Sequence, residues 1–161
     1  MPDVYLGLGS NLGNRALHIA NARNTIERRA GPITAVSSIY DTAPWGPVPQ
    51  DNYLNQVICI STTMVPRDLL AILHEIERAA GRNRKNEVRY GPRPLDLDIL
   101  IYGDSAVNED GLVIPHPRIT ERAFVLVPLA EIAPDLKIDG ISTREQVGRI
   151  DSKTVARYDP I

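Results

Sequence analysis

The segment from Leu95 to Ile101 constrains the fold of this chain more than any other stretch. It reads Leu-Asp-Leu-Asp-Ile-Leu-Ile, and alternation of apolar and acidic residues that becomes continuously apolar is typical of a β-strand entering a core. Side chains of a strand alternate between the two faces of a sheet, with Cα atoms of every second residue about 6.5–7 Å apart. Asp96 and Asp98 are therefore expected on one face, and the apolar residues between and beside them on the other.

Two carboxylates on one face of a strand repel each other unless a cation lies between them. Oxygen ligands favour a hard cation such as Mg²⁺, which commonly takes one or two carboxylates and completes its shell with substrate phosphates. Positive charge that suits phosphates is crowded just upstream, in Arg82, Arg84, Lys85, Arg89 and Arg93. This pattern predicts a site for Mg²⁺ and a polyphosphate. The alternative is a solvated charged loop beside an edge strand.

Length and charge limit the classes of protein to consider. The chain has 161 residues and a net charge of −2, which suits a single domain spanning 1–161 and argues against a dedicated nucleic-acid binder. Cys59 is the only cysteine, so an internal disulfide is excluded and a reducing compartment is expected. With no basic, apolar leader at the N-terminus and no long apolar run, we expect a cytoplasmic protein that does not bind membranes.

The order of the predicted elements indicates the fold class. They are strand 4–8, a helix from Ala16 that Gly31 and Pro32 end, strand 33–40, strand 53–62, a helix from Pro66 to Gly81, the strand with the acidic pair, and a hairpin at Gly103 and Asp104. This βαββαβ order predicts an α+β, ferredoxin-like core, an antiparallel sheet backed by helices, with a C-terminal hairpin and helix extension. Segment 124–132 is apolar and fits either a helix or a strand.

Three further motifs have both a structural and a functional interpretation. Segment 7–14 is rich in glycine after the first strand, but lacks a complete phosphate-loop pattern, so a tight turn with Ser10 or Asn11 near a helix cap is favoured. The proline-rich segment 44–55 contains the only tryptophan, and an aromatic there could stack on a planar heterocycle whose edge Asn55 recognises. His116 stands between two prolines, where a phosphate contact and a structural role are both open.

Together these motifs resemble one enzyme family, 6-hydroxymethyl-7,8-dihydropterin pyrophosphokinase of folate biosynthesis. The resemblance is carried by Gly9-Ser10-Asn11-Leu12-Gly13, Tyr53-Leu54-Asn55, Gly81-Arg82-x-Arg84, Arg89-Tyr90-Gly91-Pro92-Arg93-x-Leu95-Asp96-Leu97-Asp98-Ile99, Pro115-His116, Arg122, Phe124 and Pro128-Leu129-x-Glu131-Ile132-Ala133-Pro134. It spans nearly the whole chain. The resemblance implies a ferredoxin-like fold, ATP with two Mg²⁺, and transfer of pyrophosphate to the hydroxymethyl group of the pterin with release of AMP.

The resemblance also implies roles for individual residues. The metal ligands would be Asp96 and Asp98, and Arg82 and Arg93 would reach the phosphates from mobile loops as catalytic residues. The residues implied in ATP binding are Leu70, His74, Glu77, Arg84, Ile99, His116 and Arg122. Those implied in pterin binding are Thr42, Ala43, Trp45, Tyr53, Asn55, Tyr90 and Phe124. A monomer that binds ATP and the pterin, and no nucleic acid, is expected.

This chain departs from the family pattern at three of these positions. Tyr90 stands where tryptophan is frequent, which predicts a smaller seal over the bound substrates. Ala43 stands where proline is frequent and Trp45 where leucine is frequent, which predicts a changed shape of the pterin pocket with the same chemistry. Two other classes remain open at this stage. A ferredoxin-like RNA-binding module needs exposed aromatic residues on its sheet, and no aromatic-rich strand motif is present. A Mg²⁺-dependent nucleotide hydrolase would use the same acidic pair and arginines, but would consume ATP without a pterin.

Overall fold

The computed structural model describes residues 1–159 as an antiparallel sheet with helices on both faces. Its elements are β1 (Asp3–Ser10), α1 (Arg15–Arg29), β2 (Ile33–Val36), β3 (Tyr40–Thr42), β4 (Tyr53–Ser61), α2 (Pro66–Ala79), β5 (Asp96–Tyr102), β6 (Val107–Glu109), β7 (Leu112–Ile114), α3 (Ala123–Ile132), β8 (Lys137–Ile138), β9 (Ile141–Ser142), α4 (Thr143–Val147) and β10 (Val155–Arg157). The predicted α+β class, with an antiparallel sheet and helices, is confirmed.

The main sheet has the strand order β10-β3-β4-β1-β5, and β2 also pairs with β4. All of these pairs are antiparallel. The prediction of one strand over 33–40 is wrong in detail, because the chain breaks after Val36 and resumes as β3 at Tyr40. The two pieces pair with β4 in registers that differ by one residue, Val36 opposite Ile58 and Tyr40 opposite Asn55.

The apolar residues form two clusters, one on each face of the sheet. Even-numbered residues of β1 (Val4, Leu6 and Leu8) pack with α1 and α2, whose inward residues include Ile19, Ile26, Leu69 and Leu73. On the other face, Val57, Leu100 and Ile101 pack under α3 with Val125, Leu126 and Leu129. The open segment 124–132 is therefore a helix, although Pro128 lies within it. Its nearly uniform apolar character fits an element whose side chains are largely buried.

A bulge in β5 allows both faces to be filled from one short strand. Leu6 pairs with Ile99 and Tyr5 with Ile101, so Leu100 is an extra residue in the ladder. Two consecutive residues, Leu100 and Ile101, consequently belong to the cluster under α3. A bulge changes the direction of the side chains that follow it. The start of β5 therefore carries the acidic pair, and its end contributes two apolar side chains to the cluster under α3.

The C-terminal part adds a hairpin of β8 and β9, the short helix α4, and β10, which pairs with β3 at the edge of the sheet. The last two residues of the predicted domain, 160 and 161, lie outside the described residues.

At the N-terminal end of α1 the cap is Asn14, whose side chain accepts a hydrogen bond from the Leu17 amide. Ser10 and Asn11, expected in a tight turn near the cap, precede it: Ser10 is the last residue of β1, and the side chain of Asn11 bonds to Gln50 and Arg93.

Candidate active site

Two glycines of β1 form the floor of a pocket on the α3 side of the sheet. Gly9 lies opposite Asn55 on β4 and Asp96 on β5, and Gly7 lies opposite Asp98. Residues directly opposite in a ladder share a face, so these three polar side chains stand on either side of a strip without side chains. A methyl group added at Gly9 would lie 2.8 Å from Oδ1 of Asn55, so a larger residue here would displace that side chain.

The β4 side of the pocket is lined by Thr42, Tyr53 and Asn55. The Asn55 amide donates to Oγ1 of Thr42 over 2.6 Å, and Thr42 lies opposite Tyr53 in the sheet. The Tyr53 hydroxyl donates to the Gly91 carbonyl over 3.1 Å. This wall therefore presents an amide, a hydroxyl and an aromatic ring, which suit a planar heterocycle with polar edges.

Aromatic rings and arginines surround the mouth of the pocket. Trp45 and Tyr90 meet edge to face with ring centroids 5.4 Å apart. The Arg122 guanidinium lies 4.5 Å from the Trp45 ring centre and 5.6 Å from that of Phe124, while Arg89 covers Tyr90 at 5.0 Å. Such contacts hold cations at a desolvated site through the negative face of each ring. The arrangement joins positive charge for phosphates to flat surfaces for stacking.

Asn11 joins two loops around the pocket to the end of β1. It is almost fully buried, accepts from the Arg93 amide over 2.8 Å and donates to the Arg93 carbonyl over 3.1 Å. Its side-chain amide donates to Oε1 of Gln50 over 2.8 Å, and Gln50 in turn donates to the Tyr90 carbonyl over 2.6 Å. Loops 43–52 and 80–95 are thus held to the end of β1 by one side chain.

The acidic pair occupies unequal environments. Oδ1 of Asp96 lies 3.0 Å from Nη1 of Arg82 and 3.8 Å from Nη1 of Arg93. Within residues 1–159 no such ion pair reaches Asp98. Burial, and then the neighbouring Asp96 carboxylate, raise the pKa of Asp98 to about 7, although Arg122 acts in the opposite direction. Unrelieved repulsion of this kind favours a cation between the two groups.

A buried network lies directly behind the acidic pair. Arg82 is 4% exposed, and it donates to Glu77 over 2.6 Å, to Asp96 over 3.0 Å and to both oxygens of Glu87 over 2.8 and 2.9 Å. Glu77 also accepts from Arg84 over 2.6 Å and from the Leu97 amide over 2.9 Å. Glu77 therefore ties α2 to the start of β5 and fixes the position of the carboxylates.

His116 projects from a loop that is fastened to β5. Its amide donates to the Leu100 carbonyl over 2.8 Å, and its Nδ1 accepts from the Arg118 amide over 3.1 Å. Burial, assisted by Arg122, lowers the pKa of His116 to about 4. The ring is thus neutral at pH 7, and with Nδ1 acting as an acceptor its proton is on Nε2. It can donate one hydrogen bond into the pocket without adding charge.

The pocket encloses about 320 Å³ and gathers most, but not all, of the predicted site residues. The residues that line it are Thr42, Ala43, Trp45, Tyr53, Asn55, Arg89, Tyr90, Arg93, Asp96, Asp98, His116, Arg122 and Phe124. Six predicted residues do not line it: Leu70, His74, Glu77, Arg82, Arg84 and Ile99. Of these, Ile99 belongs to the apolar cluster under α1 and α2, and Leu70 packs against that cluster. Glu77 and Arg82 belong to the buried network behind the acidic pair.

The sequence analysis missed several residues that form the floor of the pocket or hold its loops in place. The floor glycines were missed because the glycine-rich segment 7–14 was interpreted as a turn and the first strand was predicted to end at residue 8, whereas both Gly7 and Gly9 belong to β1. Their spacing of two residues, opposite a polar pair, is the signal that could have identified them. Glu87 and Gln50 carry no local signal, because their roles depend on loops brought together by the fold.

Comparison with known proteins settles the family. Residues 5–134 match the family model described as 7,8-dihydro-6-hydroxymethylpterin-pyrophosphokinase. The chain belongs to this family. A 2-amino-4-hydroxy-6-hydroxymethyldihydropteridine pyrophosphokinase from Methylorubrum extorquens is 44% identical over 160 residues, covering 99% of this chain and all of that protein. The enzyme of that name from Bacillus subtilis is 42% identical over 86% of this chain and 83% of its own length. The predicted family, enzyme class and reaction are confirmed.

Longer relatives contain the same unit. A mitochondrial folate synthesis bifunctional protein from Arabidopsis thaliana is 44% identical over 81% of this chain, which spans 23% of that protein. Among solved structures, Plasmodium falciparum HPPK-DHPS A437G/K540E with pterin and p-hydroxybenzoate matches with a TM-score of 0.77 at 16% identity, over 96% of this chain and 46% of that one. This structural likeness bears on the fold alone. The chain is an ATP-dependent pyrophosphokinase of folate biosynthesis, which converts 6-hydroxymethyl-7,8-dihydropterin to its diphosphate. Within residues 1–159, no helix is long and apolar enough to cross a membrane.

Proposed function

We propose that the transfer takes place above Gly7 and Gly9, with the pterin on the β4 side and the triphosphate on the β5 side. One observation carries this proposal: Asn55 and Asp96 both lie opposite Gly9. A heterocycle whose edge meets Asn55 and Thr42 would therefore have its hydroxymethyl group directed across the floor toward the carboxylates. Trp45 and Phe124 provide aromatic surfaces in the same pocket.

We propose that Asp96 and Asp98 hold two Mg²⁺ together with phosphate oxygens. The donor set fits, since both groups are carboxylates on one face and Asp98 has a raised pKa caused by burial and by its acidic neighbour. When bound, Mg²⁺ supplies Lewis-acid charge stabilisation to phosphoryl oxygens.

The other roles belong to side chains around the floor. Arg93, and Arg82 once released from Glu87, would hold the transferred and leaving phosphoryl oxygens as bidentate donors. Neutral His116 would donate its Nε2 proton to a phosphate oxygen, and Arg122 would add charge between the Trp45 and Phe124 rings. Closure of loop 80–95 would exclude water, which otherwise competes with the hydroxyl group for the pyrophosphate.

The remaining proposed ATP contacts lie outside the pocket, on or near α2 and β5. Leu70 and His74 precede Glu77 on α2 at helical spacing, and Arg84 is bound to Glu77. We propose this side, with Ile99, for the nucleoside part of ATP. Burial, and then Arg84, lower the pKa of His74, so a neutral imidazole would meet the nucleoside.

The nucleotide product tests the proposal. Purified protein with ATP, Mg²⁺ and 6-hydroxymethyl-7,8-dihydropterin should yield one AMP for each pterin consumed, because attack occurs at the β-phosphorus. Asn55→Ala should raise the KM for the pterin, and Asp98→Ala should lower turnover by at least about 10²-fold. Stoichiometric ADP would refute transfer of pyrophosphate, and fast release of AMP or ADP without the pterin would favour a hydrolase.

We further infer a ferredoxin-like core. The strand order β3-β4-β1-β5 with α1 and α2 as the intervening helices supports it, and the elements after α3 support a C-terminal extension. We also propose one domain over 1–161 that works as a monomer in the cytoplasm, on the grounds of length, charge and the single cysteine.

A further inference from the structure

The break between β2 and β3 determines which side chain of β3 faces the pocket. If the register of β2 continued, in which Val36 lies opposite Ile58, Asp41 would lie opposite Tyr53. The shift by one residue instead brings Thr42 opposite Tyr53. Since a shift of one residue exchanges the faces of a strand, the break replaces a carboxylate with a hydroxyl on the wall of the pocket.

The observed side chains agree with this register. Thr42 is 1% exposed and accepts from Asn55. Asp41 is on the opposite face, half-buried, and accepts from the Asn52 side chain over 2.9 Å. In the unshifted register the Asn55 amide would face a carboxylate, and the wall would carry a negative charge close to the acidic pair.

Glu131, near the end of α3, holds the outer side of this break. Both of its oxygens lie 3.1 Å from the Ser38 amide, Oε2 accepts from the Ser38 hydroxyl over 2.9 Å, and Oε1 accepts from the Tyr40 hydroxyl over 2.6 Å. Hydrogen bonds from these partners lower the pKa of Glu131 against the effect of burial, so it is ionised and its bonds are charge-assisted.

The inner side of the break is held by β4. The Ser37 hydroxyl accepts from the Val57 amide over 3.0 Å, and the Ser37 carbonyl accepts from the Gln56 side chain over 2.7 Å. Strand β4 therefore provides hydrogen-bond partners for Ser37, and Glu131 provides them for Ser38 and Tyr40. Without Glu131, the Ser38 amide and the Tyr40 hydroxyl would lose a shared acceptor.

We propose that Glu131 is a positioning residue for the pterin, which acts by fixing the register of β3 and so the contact between Thr42 and Asn55. The first turn of the same helix contains Phe124, a lining residue of the pocket. Because α3 carries both groups, it sets the aromatic surface and the polar wall relative to each other. The inference rests on the proposed pterin side of the pocket.

Steady-state kinetics of three variants tests this inference. Glu131→Ala should raise the KM for the pterin by about tenfold or more, because a small displacement of a binding group is costly, while the KM for ATP stays within about twofold. Glu131→Gln retains one oxygen acceptor and should lie between Ala and the wild type. Tyr40→Phe removes one donor only and should raise the KM for the pterin less than Glu131→Ala does.

The controls separate this role from loss of stability. Arg67→Ala breaks a 2.6 Å surface pair with Glu109 far from the pocket and should leave both KM values unchanged. If Glu131→Ala lowers the melting temperature but changes the two KM values equally or not at all, Glu131 has only a structural role and the inference is refuted. If Glu131→Ala does not fold, Tyr40→Phe and Ser38→Ala decide in the same way.

Asn55→Ala distinguishes failure of this inference from failure of the proposed site. A raised KM for the pterin in Asn55→Ala, with unchanged values in the Glu131 variants, overturns only the role of Glu131. No change in Asn55→Ala overturns the proposed pterin side of the pocket itself.

Discussion

Replacing Asp98 by asparagine should stabilise the metal-free protein, and the gain should grow as the pH rises. The folded protein raises the pKa of Asp98 to about 7, mainly by burial and then by the Asp96 carboxylate, whereas an unfolded chain gives about 3.9. A carboxyl group with a raised folded-state pKa contributes most to stability below about pH 4, and that contribution is lost as the pH rises through about 7. Asparagine has no proton to lose.

The size of the effect follows from the difference between the two pKa values. Three units at about 1.36 kcal/mol per unit give about 4 kcal/mol as an upper limit, and sharing of the proton with Asp96 reduces it. We expect Asp98→Asn to gain about 1–3 kcal/mol at pH 8, or about 2–10 °C in melting temperature for a chain of this size, and distinctly less at pH 5.

Urea unfolding in EDTA at pH 5 and pH 8 measures this gain. Asp96→Asn is the internal contrast, because Asp96 lies 3.0 Å from Arg82 and its removal leaves a buried arginine with one partner fewer. It should stabilise the protein at neither pH. Asp104→Asn, in an exposed turn, controls for the change of net charge. A gain for Asp98→Asn that is independent of pH, or an equal gain for Asp96→Asn, would refute the reasoning.

Three other predictions concern the buried network and its arginines. Glu77→Ala should cost about 3–5 kcal/mol of unfolding free energy in urea melts, because it leaves Arg82 without its most buried partner. Glu77→Gln should cost clearly less, and equal small losses in the two variants would contradict this prediction. Arg93→Ala should lower kcat far more than it raises the KM for ATP, whereas Arg84→Ala should mainly raise that KM, and equal small effects would indicate a solvated loop. Glu87→Gln should tighten ATP binding by about 1 kcal/mol, or about fivefold in calorimetry, because the carboxylate competes with phosphate for Arg82 and Arg93; weaker binding would show that Glu87 supports the site instead.

The strand carrying the acidic pair was predictable because its signal is entirely local. Alternation in β5 places Asp96 and Asp98 on one face whatever the rest of the chain does. The break between β2 and β3 was not predicted, since the β-branched residues within 33–40 favour one continuous strand, and the irregularity is stabilised by Glu131 from a helix more than ninety residues later. Segment 124–132 was ambiguous for a related reason: an element that is largely buried has no polar face to reveal its period.

The candidate site also has a part that the sequence predicts and a part that it does not. The types of its polar residues were visible, and the lining of the pocket contains most of the predicted ones. The unequal environments of the two carboxylates were not visible, because they come from Arg82. The family resemblance implies that Arg82 is a phosphate-binding residue on a mobile loop, whereas the fold buries it against Glu77, Glu87 and Asp96. Sequence spacing identifies which charges are near each other, but only packing determines which of them are paired.

The ion pairs between the arginines and carboxylates of the site affect how the nucleotide and the metal bind. In the structure described here the positive groups Arg82 and Arg93 are neutralised by Glu87 and Asp96. Binding of a bare polyphosphate would free these carboxylates beside an anion, and binding of a bare cation would compete with the arginines for Asp96. If the two arrive together, the arginines can exchange carboxylate for phosphate oxygens and Asp96 can exchange arginine for metal, so that only Glu87 gives up its arginine partners. We therefore expect the metal–nucleotide complex to bind more tightly than either component alone, with Asp96 held by Arg82 until that complex binds.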